Sequence, residues 1–271
     1  MLVDTHTHFY DEWLLPDAEA AIQRALEAGV GKMIQADVDS AERPRMWEIG
    51  LRHPGVLFQM LGLYPGSVTA DNWKEELDAV YRIAAGDSLA SLGMTGTTPG
   101  MTGIVAIGEI GLDYHEGKEF AREQKEVLRL QFELAAKLNL PVNIHLRDAW
   151  EDFFSVLEDC RHLHLRGNLH CFSGSFEVYE RANRSGDFAV GIGGVLTFKN
   201  ASLPAVVARI PAEHLLLETD APYLAPVPYR GKRNESAYLP LIAARLAEVK
   251  GLSLNEIETI TTDNAIRLFN L

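Results

Sequence analysis

The chain has 271 residues, 47% hydrophobic and 23% charged: the balance of an ordinary globular protein with a sizeable core, and long enough for two average domains or one large α/β barrel. Lys and Arg total 25 against 38 Asp and Glu, a net charge of −13, which argues against coating long duplex DNA but not against an enzyme that handles one or two phosphates through divalent cations and a few local basic residues. No apolar run reaches the ~18 residues of a membrane helix, no signal-peptide pattern opens the chain, and the two cysteines, Cys160 and Cys171, cannot build a disulfide framework, so a reducing cytoplasm is expected.

Apolar strand-like runs alternate with helical patterns from end to end. A strand near 2–6 precedes a helix over 17–28, a strand at 32–36 precedes a helix over 40–52, and a strand at 56–61 precedes a helix over 71–85. Strands at 104–109, 142–145, 167–170 and 188–192 lead into helices at 118–138, 148–160, 175–185 and 201–209. A strand at 214–218 precedes two closing helices near 236–250 and 253–268, the last with a capping box at Ser253 and Glu256. The 118–138 stretch carries Phe120, Val127, Leu128, Leu130, Leu134, Ala135 and Leu138 at 3–4 spacing, and Pro141 follows it. Eight strands with helices between them predict a parallel (β/α)8 TIM barrel occupying residues 1–271 as one domain. The Gly/Ser/Thr-rich segment 86–103 reads as a neutral loop insertion at the end of the barrel opposite the active site.

Five strand ends carry residues that bind divalent metals. In His6-Thr7-His8, extended backbone turns both imidazoles to one side. Glu109 follows the apolar run Ile104–Ile107, where an unpaired carboxylate would be costly, and its two oxygens can bridge ions about 3.5–4 Å apart. His145 and His170 end two further strands, and Asp220 ends the last one, where it can accept a water proton. A closed parallel barrel opens every strand end on one face, so these dispersed positions can meet. Glu218, one layer deeper, is expected as a hydrogen-bond partner of a ligand and not as a ligand. Alternation should turn the Cys171 thiol away, into packing. Of the remaining histidines, only His115 is placed to line the pocket; His53, His162, His164 and His214 read as structural.

The blocks His6-Thr7-His8, Gly108–Tyr114, Pro141–Arg147, His170–Gly174 and Glu218–Leu224, continued by Arg230–Glu235 and Asn264–Phe269, resemble the TatD-like metal-dependent deoxyribonucleases across nearly the whole chain. The resemblance implies an amidohydrolase-type barrel with two divalent ions (Mg2+, Mn2+ or Zn2+) that hydrolyses phosphodiester bonds in DNA, and a pocket at a barrel mouth suits single-stranded or short DNA better than intact duplex. It implies that His6, His8 and Asp220 hold one ion, that His145 and His170 hold the other, and that Glu109 bridges them, with Asp220 and Glu109 as the catalytic carboxylates. Arg147, Ser173, Lys199, Tyr64 and Arg233 become candidates for contacting substrate, and Arg233 and Asn234 for shaping the loop over the site. Two positions depart from the family pattern. Tyr64, in Gly62-Leu63-Tyr64-Pro65, stands where a histidine is usual, and Ser236 stands where a proline is usual. A phenol there could hydrogen-bond a phosphate but would not move protons near neutral pH. An ester or amide hydrolase with the same metal centre, acting for example on aminoacyl-tRNA, is the second expectation, and a non-catalytic metal-stabilised module the third. Neither a membrane nor an obligate protein partner is implied.

Overall fold

The computed structural model describes residues 1–86 and 103–271. The expected neutral insertion at 86–103 therefore lies, apart from its two ends, outside the described residues. Eight parallel strands follow one another in sheet order as in sequence: β1 (Leu2–Thr7), β2 (Val30–Gln35), β3 (Leu57–Leu61), β4 (Ile104–Asp113), β5 (Val142–Arg147), β6 (Arg166–Leu169), β7 (Asp187–Ile192) and β8 (Leu215–Leu217). Between them run α1 (Ala18–Glu27), α2 (Arg43–Arg52), α3 (Trp73–Ala84), α4 (Ala121–Leu138), α5 (Trp150–Asp159), α6 (Phe176–Ala182) and α7 (Leu203–Arg209), with α8 (Leu239–Lys250) and α9 (Leu254–Phe269) after the last strand. The ring closes where β1 meets the end of β8: Thr7 bridges Ala221, His8 N–H donates to Ala221 O at 2.8 Å, and Asp220 N–H donates to His6 O at 2.9 Å. This is the (β/α)8 barrel read from the alternating pattern.

Two apolar layers result from strand alternation. Val3, Ile34, Met60, Val105 and Leu216 fill the interior together with Ala265 and Phe269 of α9, which packs on β1 and β8. The larger cluster lies between the strands and the outer helices. The capping box at Ser253 and Glu256 starts α9 as expected: Ser253 Oγ accepts the Glu256 N–H at 3.2 Å, and Glu256 Oε2 accepts the Ser253 N–H at 2.8 Å.

Helix α4 buries Val127, Leu128, Phe132, Leu134 and Ala135, but also two glutamines. Gln131 is bonded to both the N–H and the C=O of Leu63, at 2.8 and 3.2 Å, and Gln124 to those of Asp113, at 2.9 and 3.1 Å. Backbone groups beyond a strand have lost their ladder partners and need others when buried. The glutamines supply them, and so fasten the segments that carry Tyr64 and Asp113.

Strand ends differ from expectation at two of the expected ligand positions. Strand β4 continues four residues past Glu109. Its regular pairing with β5 breaks between Ile107 and Ile110, where Gly108 O accepts Asp37 N–H and Glu109 N–H donates to Asp37 O. Asp220 does not end β8 but lies three residues beyond it, in left-handed backbone at φ 57°. Asp and Asn adopt that region more readily than most residues, and it turns the Asp220 N–H onto β1. Among the described residues no helix is long and apolar enough to cross a membrane.

Candidate metal centre

Strand β1 delivers His6 and His8 to the barrel mouth with their Nε2 atoms 3.1 Å apart. Their other ring nitrogens are spoken for. The Tyr10 hydroxyl donates to Ala36 O, so towards His8 Nδ1, 2.9 Å away, it acts as acceptor. In its neutral form His8 then carries its proton on Nδ1, and its Nε2 lone pair faces inward. His6 Nδ1 lies 3.3 Å from Asn143 Oδ1, also an acceptor, with the same consequence. His170 follows β6 directly and donates from Nδ1 to Glu218 Oε1 at 3.0 Å, leaving Nε2 towards the centre. His145, on β5, is reversed: Nε2 donates to Asp113 Oδ2 at 2.9 Å, and Nδ1 faces Glu109 Oε1 at 2.8 Å. Each imidazole thus has an outer acceptor that aims one nitrogen at a common point, which is how proteins orient histidine for a metal.

Glu109 lies among them with its oxygens divided. Oε2 is 3.2 Å from His6 Nε2 and 3.8 Å from His8 Nε2, whereas Oε1 is 2.8 Å from His145 Nδ1 and 3.6 Å from His170 Nε2. Asp220 Oδ1 is 3.4 Å from His8 Nε2 and 3.8 Å from His6 Nε2. Two sets bring one ligand atom per residue within 4.8 Å of one another: His6, His8 and Asp220, and His6, Glu109 and His170. His145 falls outside both sets but touches Glu109. The rings of His6 and His170 stack at 3.6 Å between centroids. Six buried or nearly buried nitrogen and oxygen donors of this kind suit a borderline divalent cation such as zinc or manganese, and carboxylates also admit magnesium.

Electrostatics follow from burial and crowding. Burial alone would raise the Glu109 carboxyl, but the nearby His6 and His170 charges and the His145 hydrogen bond outweigh it and hold the group well below the usual carboxylate range. Asp220 is lowered in the same way, burial being overcome by the His8 hydrogen bond and the His170 charge. Burial would lower His145, yet Asp113 and Glu109 raise it to about 9. Burial opposes His170 too, but Glu218 and Glu109 raise it to about 10. His6, the most enclosed, is lowered by burial and by His170.

Several supporting residues carry no sequence signal of their own. Asp4 is buried and accepts from Thr219 N–H at 2.9 Å, Thr219 Oγ1 at 2.6 Å and His6 N–H at 3.3 Å, tying β1 to the segment that carries Asp220. A charged residue inside the otherwise apolar Leu2-Val3-Asp4 run was the one available hint. Asn143, Tyr10 and Asp113 were not singled out; Glu218 was. Gly191 makes room for Glu218, since a Cβ there would overlap its carboxylate. Gly111, at φ 150°, lets β4 pass the His145 carbonyl, which a Cβ would strike.

The expected substrate contacts are placed unevenly. Arg147 is exposed at the end of β5 and bonded to Glu116 Oε1 at 3.2 Å. Tyr64 puts its hydroxyl 3.5 Å from Asp113 Oδ2 and its ring edge-on to His145 at 5.0 Å. Ser173 and Lys199 are exposed on loops after β6 and β7. Arg233 is not free for a phosphate: its terminal nitrogens donate to Asp17, Glu235 and Trp13 O. Asn234 Nδ2 donates to Thr219 O at 2.7 Å and Tyr223 O at 2.6 Å. Both residues therefore pin the loop, because their donors already have partners. His115 is exposed, with Nδ1 3.7 Å from Asp148 Oδ2. Cys171, expected to turn its thiol into packing, is only partly buried. Strand β6 stops at Leu169, Cys171 takes left-handed backbone at φ 45°, and alternation no longer governs its direction. Burial first, then the charges of Asp220, Glu218 and Glu109, push its thiol well up.

Known proteins share this chain's sequence and fold. The family described as TatD related DNase matches residues 3–270. The chain is 38% identical over 272 residues to the uncharacterized metal-dependent hydrolase YabD of Bacillus subtilis (strain 168), covering 100% of both. It is 34% identical over 261 residues to the 3'-5' ssDNA/RNA exonuclease TatD of Erwinia tasmaniensis, covering 94% of each. The crystal structure of YjjV, a TatD homolog from Escherichia coli K12, matches with a TM-score of 0.84 at 29% identity, covering 100% of this chain and 98% of that one. This chain belongs to the TatD related DNase family and is a metal-dependent hydrolase.

Proposed function

We propose that the chain hydrolyses phosphodiester bonds in single-stranded or short DNA, with two divalent ions held by His6, His8 and Asp220 on one side and by His145 and His170 on the other, Glu109 lying between them. The observation that carries this reading is the split carboxylate of Glu109, one oxygen towards each histidine pair. The relative named as a 3'-5' ssDNA/RNA exonuclease supports the substrate class. Bound divalent cations would supply Lewis-acid stabilisation of phosphoryl oxygens and an acidified water.

The protein's own part can be derived from its residues. Asp220 is kept ionised by His8 and His170, so it can accept the proton of the attacking water. Glu109, also ionised, balances the charge of the cations. Arg147 can present its planar fork to a non-bridging phosphate oxygen once it leaves Glu116. Tyr64, whose phenol burial pushes far above its ordinary value, serves as a neutral hydrogen-bond donor and not as a proton shuttle.

The test uses purified protein stripped with EDTA and reloaded with Mg2+, Mn2+ or Zn2+. Metal-dependent release of nucleotides from short single-stranded DNA is expected. Cleavage of carboxyl esters, with every phosphodiester left intact, would replace this reading with the ester-hydrolase one.

A further inference from the structure

Two aromatic side chains stand exposed beside the ligand cluster. Trp13 is 57% exposed and Tyr223 44% exposed. Their ring centroids lie 6.0 Å apart with the planes tilted by 49°, so a base lying flat on one ring meets the other at an angle, and the Tyr223 ring lies 6.2 Å from that of His8. One carboxylate meets both residues: Asp11 Oδ1 accepts the backbone N–H of Trp13 at 2.8 Å, and Asp11 Oδ2 accepts the Tyr223 hydroxyl at 2.7 Å. Their carbonyls are held as well, Trp13 O by Arg233 at 2.9 Å and Tyr223 O by Asn234 at 2.6 Å. Large rings left in water, one held by its hydroxyl and the other carried on pinned backbone, are preorganised for a flat partner.

We propose that Trp13 and Tyr223 form a stacking platform for an unpaired nucleobase of the strand whose phosphate is cleaved, an assignment that rests on the phosphodiester reading above. A nucleotide's base hangs one sugar away from its phosphate, and the platform begins one ring away from His8. A net charge of −13 argues against a broad basic surface as the source of affinity. Stacking does not need one, and it tolerates any sequence because every base has a π-face. A paired base is already stacked on its neighbours and cannot reach the platform, so Trp13 and Tyr223 would favour single strands over duplex.

The experiment compares the wild type with Trp13→Ala and Trp13→Phe on a thymidine oligonucleotide and on the same strand with abasic sites replacing its terminal bases. The wild type should prefer the base-bearing strand in kcat/KM by about tenfold or more, the scale of one base–aromatic stack. Trp13→Ala should bring that ratio towards one, chiefly through KM, and Trp13→Phe should restore it. A second reading needs no turnover: a phosphorothioate thymidine trinucleotide should quench emission in the EDTA-treated wild type more than in Trp13→Phe. If DNA is cleaved with no base preference, and the quench does not differ, the platform is overturned while the nuclease reading stands. If no phosphodiester is cleaved, the nuclease reading falls, and the quench alone then supports or overturns the platform. A dimer lost in Trp13→Ala, without base preference, would assign the patch to contact between copies and also overturn the proposal.

Discussion

Glu218 sits directly behind His170, with Oε1 3.0 Å from Nδ1, and so turns the opposite nitrogen of that imidazole towards Glu109. The same oxygen accepts the Cys171 N–H, and Oε2 accepts from Asn168 at 3.2 Å. The carboxylate is therefore fully engaged, and its task is orientation.

Glu218→Gln should weaken divalent-metal affinity by about 10–100-fold, the usual effect of losing such an outer partner. Asp113→Asn should do the same through His145. Calorimetric titration of each stripped variant with Mn2+ measures this, and unchanged affinity in both would show that the outer carboxylates do not tune the site.

Asp220→Asn should reduce turnover by about 10²–10⁴-fold, the range for a positioned general base. Secondary structure by circular dichroism should be unaltered, since the Asp220 backbone bond to His6 O survives. Wild-type rates in this variant would remove Asp220 from the proton transfer.

Metal loading should release protons. In the metal-free protein His145 and His170 titrate near 9 and 10, so both are charged at pH 7.5. A cation requires neutral imidazole, so up to about two protons leave on binding, and apparent affinity rises with pH between about 6 and 9. The stability sign is the reverse. Both folded values lie above the ordinary 6.5, so their stabilisation of the metal-free fold is complete below about 6.5 and is lost as pH climbs through 9 and 10. Calorimetry in buffers of different ionisation enthalpy checks the first claim and metal-free melts check the second; binding heats that do not depend on buffer would refute proton release.

Asp37→Ala should cost about 3–5 kcal/mol of stability, because Arg43 would be left buried without its counter-charge. The pair meets at 2.6 Å with both side chains fully buried. Asp37 also brackets Glu109 through backbone bonds that the substitution leaves in place. Urea denaturation gives the number, and a loss below about 1 kcal/mol, the range of surface pairs, would contradict it.

Tyr64→Phe should leave the shape of the pH profile of kcat/KM unchanged, because burial and the charges of Glu109 and Asp113 keep the phenol protonated throughout. Tyr64→His should add a titration near 6–7. A limb of the profile that disappears in the phenylalanine variant would make Tyr64 a proton carrier after all.

Much of this was legible in the residues. The alternation of apolar strand runs with amphipathic helices dictates a parallel barrel, because such strands must be covered on both faces. The polar residues that interrupt those runs at His6, His8, Glu109, His145 and His170 mark the mouth, since a buried polar side chain needs a partner. Spacing could not show which partner each one takes. Asn143 and Asp113 set the direction of two imidazoles from 137 and 32 residues away, and only the assembled barrel puts them in reach, whereas Tyr10 acts on His8 from two residues away. Arg233 shows the converse: as a residue type it suits phosphate, and tertiary contacts with Asp17 and Glu235 give its donors to the loop instead. Cys171 and Asp220 escape strand alternation because their backbones turn left-handed just after β6 and β8. Local sequence thus determined the elements and the chemistry carried at their ends, whereas hydrogen-bond direction and electrostatic balance were decided by which ends the closed barrel brought face to face.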